Sequence, residues 1–498
     1  MHPNLRNRLP GILFTVVLVL AEILFMALLI HTKLIPTKFL ILAGVLMLLL
    51  AALVYFLVRD LRHGGRLITG AVLAGLVIVL FAFGGSYISQ GVSALGQITE
   101  TTVEIAEVGI YVPTDDPASG ISDAAGYTFG ILSALDRENT DKTIAQISEN
   151  LGRTIVTKEY PGLGELVDSV LVSGETNAII MNSAYLELLT EMEGYETAPS
   201  QLRELHTEQV ETIIERVVNP KTDSKGNADL GEGDFASDSE HVFSMYISGI
   251  DSRSGLISKS RSDVNIVATI NTETRQVLLV ATPRDYYVPL SISDGVPDKL
   301  THAGIYGIDV SMETLEMLYD TTIDYYFRVN FSGFENIINA LGGITVESEY
   351  EFSTGNYHYY EGANELDGAA ALAFARERYA FASGDRQRGK NQMAVIKAII
   401  NKAISPALLM NYSSILESVS GSFETSMPYD VIAGLVRDQL NSGGSWNIVS
   451  YSVDGTGDSQ KPYSLSTNAY VMIPNYDTVN HAIELMNQVK NGETLNQE

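Results

Sequence analysis

Apolar positions open the chain in three long runs, roughly Ile12–Ile30, Phe39–Val58 and Leu67–Ile88. Each is long enough to cross a bilayer as a helix. A single run of this kind is compatible with a signal peptide, whereas three in succession are not. The polar breaks give a direction. Arg6 and Arg8 precede the first run, and Arg59, Arg62 and Arg66 fill the second loop, against only Lys33 and Lys38 in the first loop. The positive-inside rule predicts a multi-pass cell-membrane protein with a cytoplasmic N-terminus and everything after the third helix outside the cell. Glu22 sits inside the first run. An ionisable group there is a functional candidate, although a protonated carboxyl bonded to a neighbouring helix explains it more simply.

After the third run the pattern changes to short strands and helices. Residues 89–218 read as a smaller accessory α/β domain. Val103–Val112 alternates like a strand, Ala178–Met181 like a buried strand, and Asp141–Leu151 and Tyr185–Met192 like helices. Gln201–Val218 is predicted to be a helix, with Val210, Ile213, Ile214 and Val217 on its apolar side. Residues 219–240, rich in Asp, Gly, Ser and Lys, read as a linker.

The main domain is expected over 241–440. Three strands, His241–Asp251, Val264–Ile270 and Val277–Ala281, are followed by an aromatic strand at Ile323–Asn330. A short helix at Phe334–Leu341, a strand at Ile344–Val346 and an alanine-rich helix at Asp367–Phe374 come next. Strands alternating with helices predict an α/β sheet with helices on both faces. Residues 441–498 are expected to form an extension packed on this domain. It holds strands at Trp446–Val453 and Tyr470–Ile473, a Gly/Ser-rich loop at Asp454–Ser466 and a closing helix at Asp477–Lys490. Trp446, the only tryptophan, reads as packing rather than as a sugar platform.

Charge divides the chain the same way. Residues 1–88 carry seven Lys/Arg and two Asp/Glu, and the remainder carries 25 and 58. The acidic body argues against nucleic-acid partners. With no cysteine, disulfides and thiolate chemistry are excluded.

Against that acidity, Phe374–Gln392 concentrates Arg376, Arg378, Arg386 and Arg388. Arg376 and Arg378 are two apart, so on an extended strand they share a face. Past Gly384 the period becomes helical, with Asp385 as candidate N-cap and Arg388 and Gln392 one turn apart. Surface ion pairs also account for arginines of this kind. A multiply charged oxyanion is the alternative guest. Further acid–arginine pairs stand at strand ends: Asp251, then Arg261 with Asp263, then Arg284 with Asp285. Singly, such carboxylates are turn caps. Together, without a nearby His or Cys, they suit Mg²⁺ or Mn²⁺, and arginines beside them complete the equipment of a pyrophosphate site.

Seven segments in order, GID, SRSD, TPRD, KLTHAGIYG, DYYFRVNFSGFENIINALGGITV, LDGAAALAFARERY and GDRQRGKNQ, resemble the catalytic domain of the LytR-CpsA-Psr family. The three apolar runs and the accessory domain resemble its capsule-associated members in streptococci and related Gram-positive bacteria. The resemblance implies a phosphotransferase moving a glycopolymer, capsular polysaccharide in such members, from a polyprenyl-pyrophosphate carrier to peptidoglycan. Other capsule-assembly proteins are implied as partners. By residue match, Asp251 and Asp263 would hold Mg²⁺. Arg261, Arg284, Arg376, Arg378, Arg388 and Gln392 would bind the pyrophosphate, with Arg284 and Asp263 as the catalytic pair. Lys299 and His302 fall within a matching motif and read as structural. Two rival functions share these residues: a polyprenyl-pyrophosphate hydrolase and a non-enzymatic regulator of capsule assembly.

Overall fold

The computed structural model describes residues 9–59, 64–99, 103–214, 241–250, 258–405, 415, 418–419 and 421–496. Arg6, Arg8, Arg62, Asp251 and the expected linker 219–240 lie outside the described residues. The chain divides into two compact units.

The first unit holds the apolar helices α1 (Leu9–His31), α2 (Thr37–Val58) and α3 (Gly64–Thr99). All three are long and apolar enough to cross a membrane. Leu18, Val54, Val58, Ala74 and Val77 pack between them. Leucines such as Leu24, Leu48 and Leu80 remain exposed, as expected of helices whose outer surface faces lipid. Glu22 is buried, and its Oε1 has no hydrogen-bond partner. The Tyr429–Ser442 helix belongs to this unit and touches the α1–α2 loop. Tyr429 donates to Thr32 O at 2.8 Å, Lys33 Nζ pairs with Asp430 at 2.9 Å, and Lys38 Nζ donates to Asn441 O at 2.6 Å.

The second unit contains two large sheets. The accessory sheet is built from β1 (Val103–Pro113), β2 (Thr128–Leu132), α4 (Arg137–Asn150), β3 (Val156–Tyr160), α5 (Leu163–Leu171), β4 (Ala178–Asn182), α6 (Tyr185–Leu189), α7 (Ala198–Gln201) and β5 (Leu202–Ile213). Its strand order is β3-β2-β4-β1-β5. The helix expected over Gln201–Val218 is, through Ile213, this strand β5. It pairs antiparallel with β1 along its whole length, from Leu202 opposite Pro113 to Ile213 opposite Val103. Glu, Gln and Leu favour helix locally, and Val210 and Ile213 are spaced for one. Pairing with a strand about a hundred residues away overrides that preference. As an edge strand, β5 keeps a largely polar, half-exposed surface.

The main sheet begins with β6 (Val242–Ile250), β7 (Ser262–Asn271) and β8 (Gln276–Thr282). The β-hairpin β9 (Tyr287–Pro289) and β10 (Pro297–Lys299) leads to α8 (Leu300–Tyr306) and α9 (Ile308–Tyr319). Next come β11 (Tyr325–Asn330), α10 (Phe331–Ala340), β12 (Ile344–Ser348), β13 (Phe352–Thr354), β14 (Tyr357–Tyr359) and β15 (Gly362–Leu366). The arginine stretch spans α11 (Gly368–Arg376) and α12 (Asp385–Ala403), followed by β16 (Phe423–Thr425), β17 (Asn447–Ser452), β18 (Gly455–Gln460) and β19 (Ala469–Pro474). The chain's last helix is Tyr476–Lys490.

Six strands form one mixed sheet in the order β16-β11-β6-β7-β8-β17. Strand β8 is buried at every position, which fits its unbroken apolar run. Tyr246, Val267, Leu278 and Val280 pack with Met312 and Leu315 of α9 and with Val479, Ala482 and Met486 of the last helix. Residues 447–452, read from sequence as part of an extension, supply the edge strand β17, parallel to β8. The Asp454–Ser466 loop is in part a strand, because β18 pairs antiparallel with β19. Its Gly and Ser content hid that pairing.

Candidate active site

Three segments converge on one cleft of about 200 Å³: the start of β7, the end of β8, and the first turns of α12 beside the end of β17. The antiparallel register sets Asn265 of β7 opposite Thr282 of β8. Asp263 therefore stands beside the TPRD turn that carries Arg284. Register between β8 and β17 sets Ser452 opposite Ala281, which brings the chain end of β17 to the same edge. The cleft is lined by Asp263, Arg284, Asp385, Arg388, Gln392 and Asp454, among others.

Arg284 Nη1 donates to Asp263 Oδ1 at 3.0 Å. Its Nε is buried without a hydrogen-bond partner; Asp285 Oδ2 is 3.6 Å away. Burial disfavours its charge, but Asp263 and Asp285 outweigh that and hold the guanidinium well above its ordinary range. Arg388 behaves oppositely. It is buried and pairs with Asp385 at 2.6 Å. Burial lowers its pKa and the positive charges of Arg284 and Arg378 add to that, while Asp385 and Asp263 oppose it. A guanidinium crowded by like charges in a cleft is stabilised by an incoming anion. Gln392 follows one turn later on α12 and lines the same cleft.

Not every sequence candidate reaches it. Arg376 and Arg378 do not lie on a strand: α11 runs through Arg376 and ends at an extended Glu377. The alanines and the Asp367 cap, which accepts from Ala370 N at 2.8 Å, extend the helix that far. A cation at a helix C-terminus is also favourable. Arg376 is exposed and stacks 4.2 Å over Phe331, and Arg378 stacks 4.6 Å over Tyr379. Neither lines the cleft, though Arg378 is near enough to act on Arg388. Asp385 is the first residue of α12 and pairs with Arg388 rather than standing before the helix as its cap. Arg261 faces the accessory sheet, 2.7 Å from Glu187 and 2.6 Å from Glu191.

Lys299 and His302 flank this region on β10 and α8. The close approach of α8 is fixed by Gly304, where a Cβ would lie 2.5 Å from Ser260 O. His302 is buried, with Nδ1 2.7 Å from Asp298 Oδ1. Burial lowers its pKa, but Asp298 and then Glu191 outweigh that and raise it. Glu187, Glu191, Asp298 and Asp454 escaped sequence reasoning. Each is one acid among 60, and only the fold selects it.

Among the described residues no three His, Cys, Asp or Glu side chains form a metal-binding group. The anionic donors in the cleft are the carboxylates Asp263, Asp385 and Asp454, with oxygen from Asn265, Thr282, Gln392 and Ser452 beside them. Such a set fits Mg²⁺, which takes one or two protein carboxylates and completes its shell with water and substrate phosphate.

The LytR_cpsA_psr family matches residues 191–484. An Enterococcus faecalis protein named polyisoprenyl-teichoic acid–peptidoglycan teichoic acid transferase TagU is 34% identical over 220 residues, covering 44% of this chain and 72% of that protein. Its Bacillus subtilis namesake is 32% identical over 216 residues, covering 43% and 69%. The crystal structure of B. subtilis TagV is 27% identical, covers 51% of this chain and 99% of its own, and superposes with a TM-score of 0.43. With the family pattern spanning more than half its length, this chain is a member of the LytR-CpsA-Psr family.

Proposed function

We propose that this protein is a phosphotransferase that moves a glycopolymer from a polyprenyl-pyrophosphate carrier to peptidoglycan, with the diphosphate seated between Arg284 and Arg388. One observation carries the reading: two guanidiniums share a cleft, one with an unpartnered Nε–H and one whose charge is disfavoured by burial. A diphosphate supplies the oxyanions that both need. The named activity of the TagU relatives is of the same class.

In the reaction an acceptor sugar hydroxyl attacks the phosphorus that bears the glycan. The bond to the bridging oxygen breaks, a phosphodiester to the wall sugar forms, and polyprenyl phosphate leaves. Negative charge grows on the departing oxygen, and fixed guanidiniums stabilise it in a partly dry site. Asp263 orients Arg284 through the 3.0 Å bond. Asp263, with Asp251, would hold Mg²⁺, whose charge would offset that of the diphosphate. Gln392 would donate to a phosphate oxygen. Arg378, and Arg261 on the accessory side, would complete the positive surround.

The glycan is proposed to be a capsular polysaccharide, on the strength of the three apolar helices and the accessory domain, whereas the TagU relatives are named for teichoic acid. The second unit is proposed to lie outside the cell, where carrier and wall meet.

The test incubates the purified full-length protein in proteoliposomes with lipid-linked capsular glycan, with and without peptidoglycan. Wall-linked glycan formed only with acceptor is expected. Release of free glycan phosphate at equal rate without acceptor would assign a hydrolase instead, and binding without turnover a regulator.

A further inference from the structure

Two acidic residues of the accessory domain touch the main domain close to the cleft. Glu187 lies on α6 and Glu191 in the turn after it, where its N–H bonds to Leu188 O at 3.0 Å. One oxygen of Glu191 takes Arg261 Nη1 at 2.6 Å, and the other takes Lys299 Nζ at 2.5 Å. Lys299 is buried and also stands 3.4 Å from Asp285 Oδ1. The second oxygen of Asp285 is 3.6 Å from Arg284 Nε. Charges therefore alternate without a gap from Glu191 through Lys299, Asp285 and Arg284 to Asp263. His302 Nε2, buried and without a hydrogen bond, lies 3.8 Å from Glu191.

A purely structural role would need only a salt bridge between the two sheets, and the unit already has one in Arg328 with Glu104. Glu191 differs because both its oxygens are bonded to cations, one of which, Lys299, leads through Asp285 to Arg284 in the cleft. Burial disfavours its charge, yet His302 and Lys299 hold it well below the usual carboxylate range. The anion is therefore a permanent fixture of the wiring.

We propose that Glu191 is a positioning residue: by holding Lys299 it leaves Asp285 to orient Arg284 in the cleft, and it fixes Arg261 at the cleft's edge. The accessory domain then supports the active site from behind and is more than a spacer. Without the Glu191 charge, Lys299 draws Asp285 toward itself and away from Arg284, whose Nε has no other nearby acceptor. A misplacement of about 1 Å at a reacting centre costs roughly 100-fold in rate.

The kinetic arm of this inference rests on the proposed transfer activity. Full-length Glu191→Gln, Lys299→Met and the double variant are compared with wild type in proteoliposomes. Each single change is expected to lower kcat by about tenfold or more with donor KM within about threefold, since positioning acts on the transition state. The double variant is expected to be no worse than the weaker single, because one relay is broken either way. Glu138→Gln, on the same accessory sheet but paired with Lys142, serves as control.

A second arm needs no catalysis. The rate of phenylglyoxal modification of Arg284 and Arg261 is followed by mass spectrometry without substrate. It is expected to rise several-fold in Glu191→Gln and to stay at the wild-type value in Glu138→Gln. Unchanged arginine reactivity overturns the positioning role, as does wild-type kcat in Glu191→Gln or multiplicative effects in the double variant. A wild type that transfers nothing, with reactivity still raised in Glu191→Gln, refutes the transfer reading and leaves the positioning intact.

Discussion

Two arginine clusters lie within the same unit and differ in what surrounds them. Arg328 on β11 is almost fully buried, and each of its three nitrogens has a carboxylate: Nη1 bonds to Glu104 of β1, while Nε and Nη2 bond to Glu424 of β16 at 3.1 and 2.6 Å. Burial opposes its charge, but the two acids outweigh that and hold it strongly protonated. Arg284 has one good carboxylate bond, an unpartnered Nε and an open cleft, and Arg388 beside it is pushed down chiefly by burial. The residue type is the same. One cluster is complete and joins the accessory sheet to the main sheet, and the other keeps an unpartnered donor, Arg284 Nε, beside a cleft where a ligand can enter. The pairing of each donor and the space around it distinguish structure from site, and neither is visible in a count of arginines.

The largest effect separates the clusters by stability. Arg328→Met leaves Glu424 without its counter-charge and Glu104 with only Lys259, 3.9 Å away. It is expected to cost about 3–5 kcal/mol of unfolding free energy, measured by denaturant titration in detergent. Turnover per folded molecule should stay near wild type. Arg284→Ala should show the converse: turnover down by roughly 100- to 1000-fold, about 2.7–4 kcal/mol in the barrier, with the unfolding midpoint close to wild type. An Arg284→Ala protein that transfers at the wild-type rate would remove Arg284 from its catalytic role.

A smaller effect titrates the border between the clusters. His302 faces Asp298 on β10 and Glu191 from the accessory side, with Lys299 close by on the same carboxylate. Its folded pKa is raised above the ordinary 6.5. The contribution to stability is therefore fully present below pH 6.5 and is lost as pH climbs through the raised folded value. The thermal midpoint should fall over that interval, and His302→Gln should flatten the slope. The smallest effect gives the baseline for a solvated pair. Lys142 and Glu138 are largely exposed, so Lys142→Ala should alter stability by no more than about 0.5 kcal/mol and leave turnover unchanged.

The contrast also explains what the sequence could disclose. Strands β7 and β8 were legible because an apolar run buried on both faces leaves few alternatives. Asp263, Arg284, Arg388 and Gln392 were legible as a group because their motifs recur in a fixed order, and the sheet register brings them to one edge. Arg376 and Arg378 misled because a two-residue spacing is as compatible with a helix end as with a strand. Strand β5 misled because its helix-favouring residues meet their partner strand only in the folded unit. Glu191 carried no signal, since its role depends on two cations that stand 70 and 108 residues away.

The most direct test is a structure of the full-length protein with a polyprenyl diphosphate bound. The account predicts diphosphate density between Arg284 and Arg388, within hydrogen-bond reach of Arg284 Nε, with the Arg328 cluster unchanged. Diphosphate bound elsewhere on the protein, with both guanidiniums still turned to their own carboxylates, would contradict it.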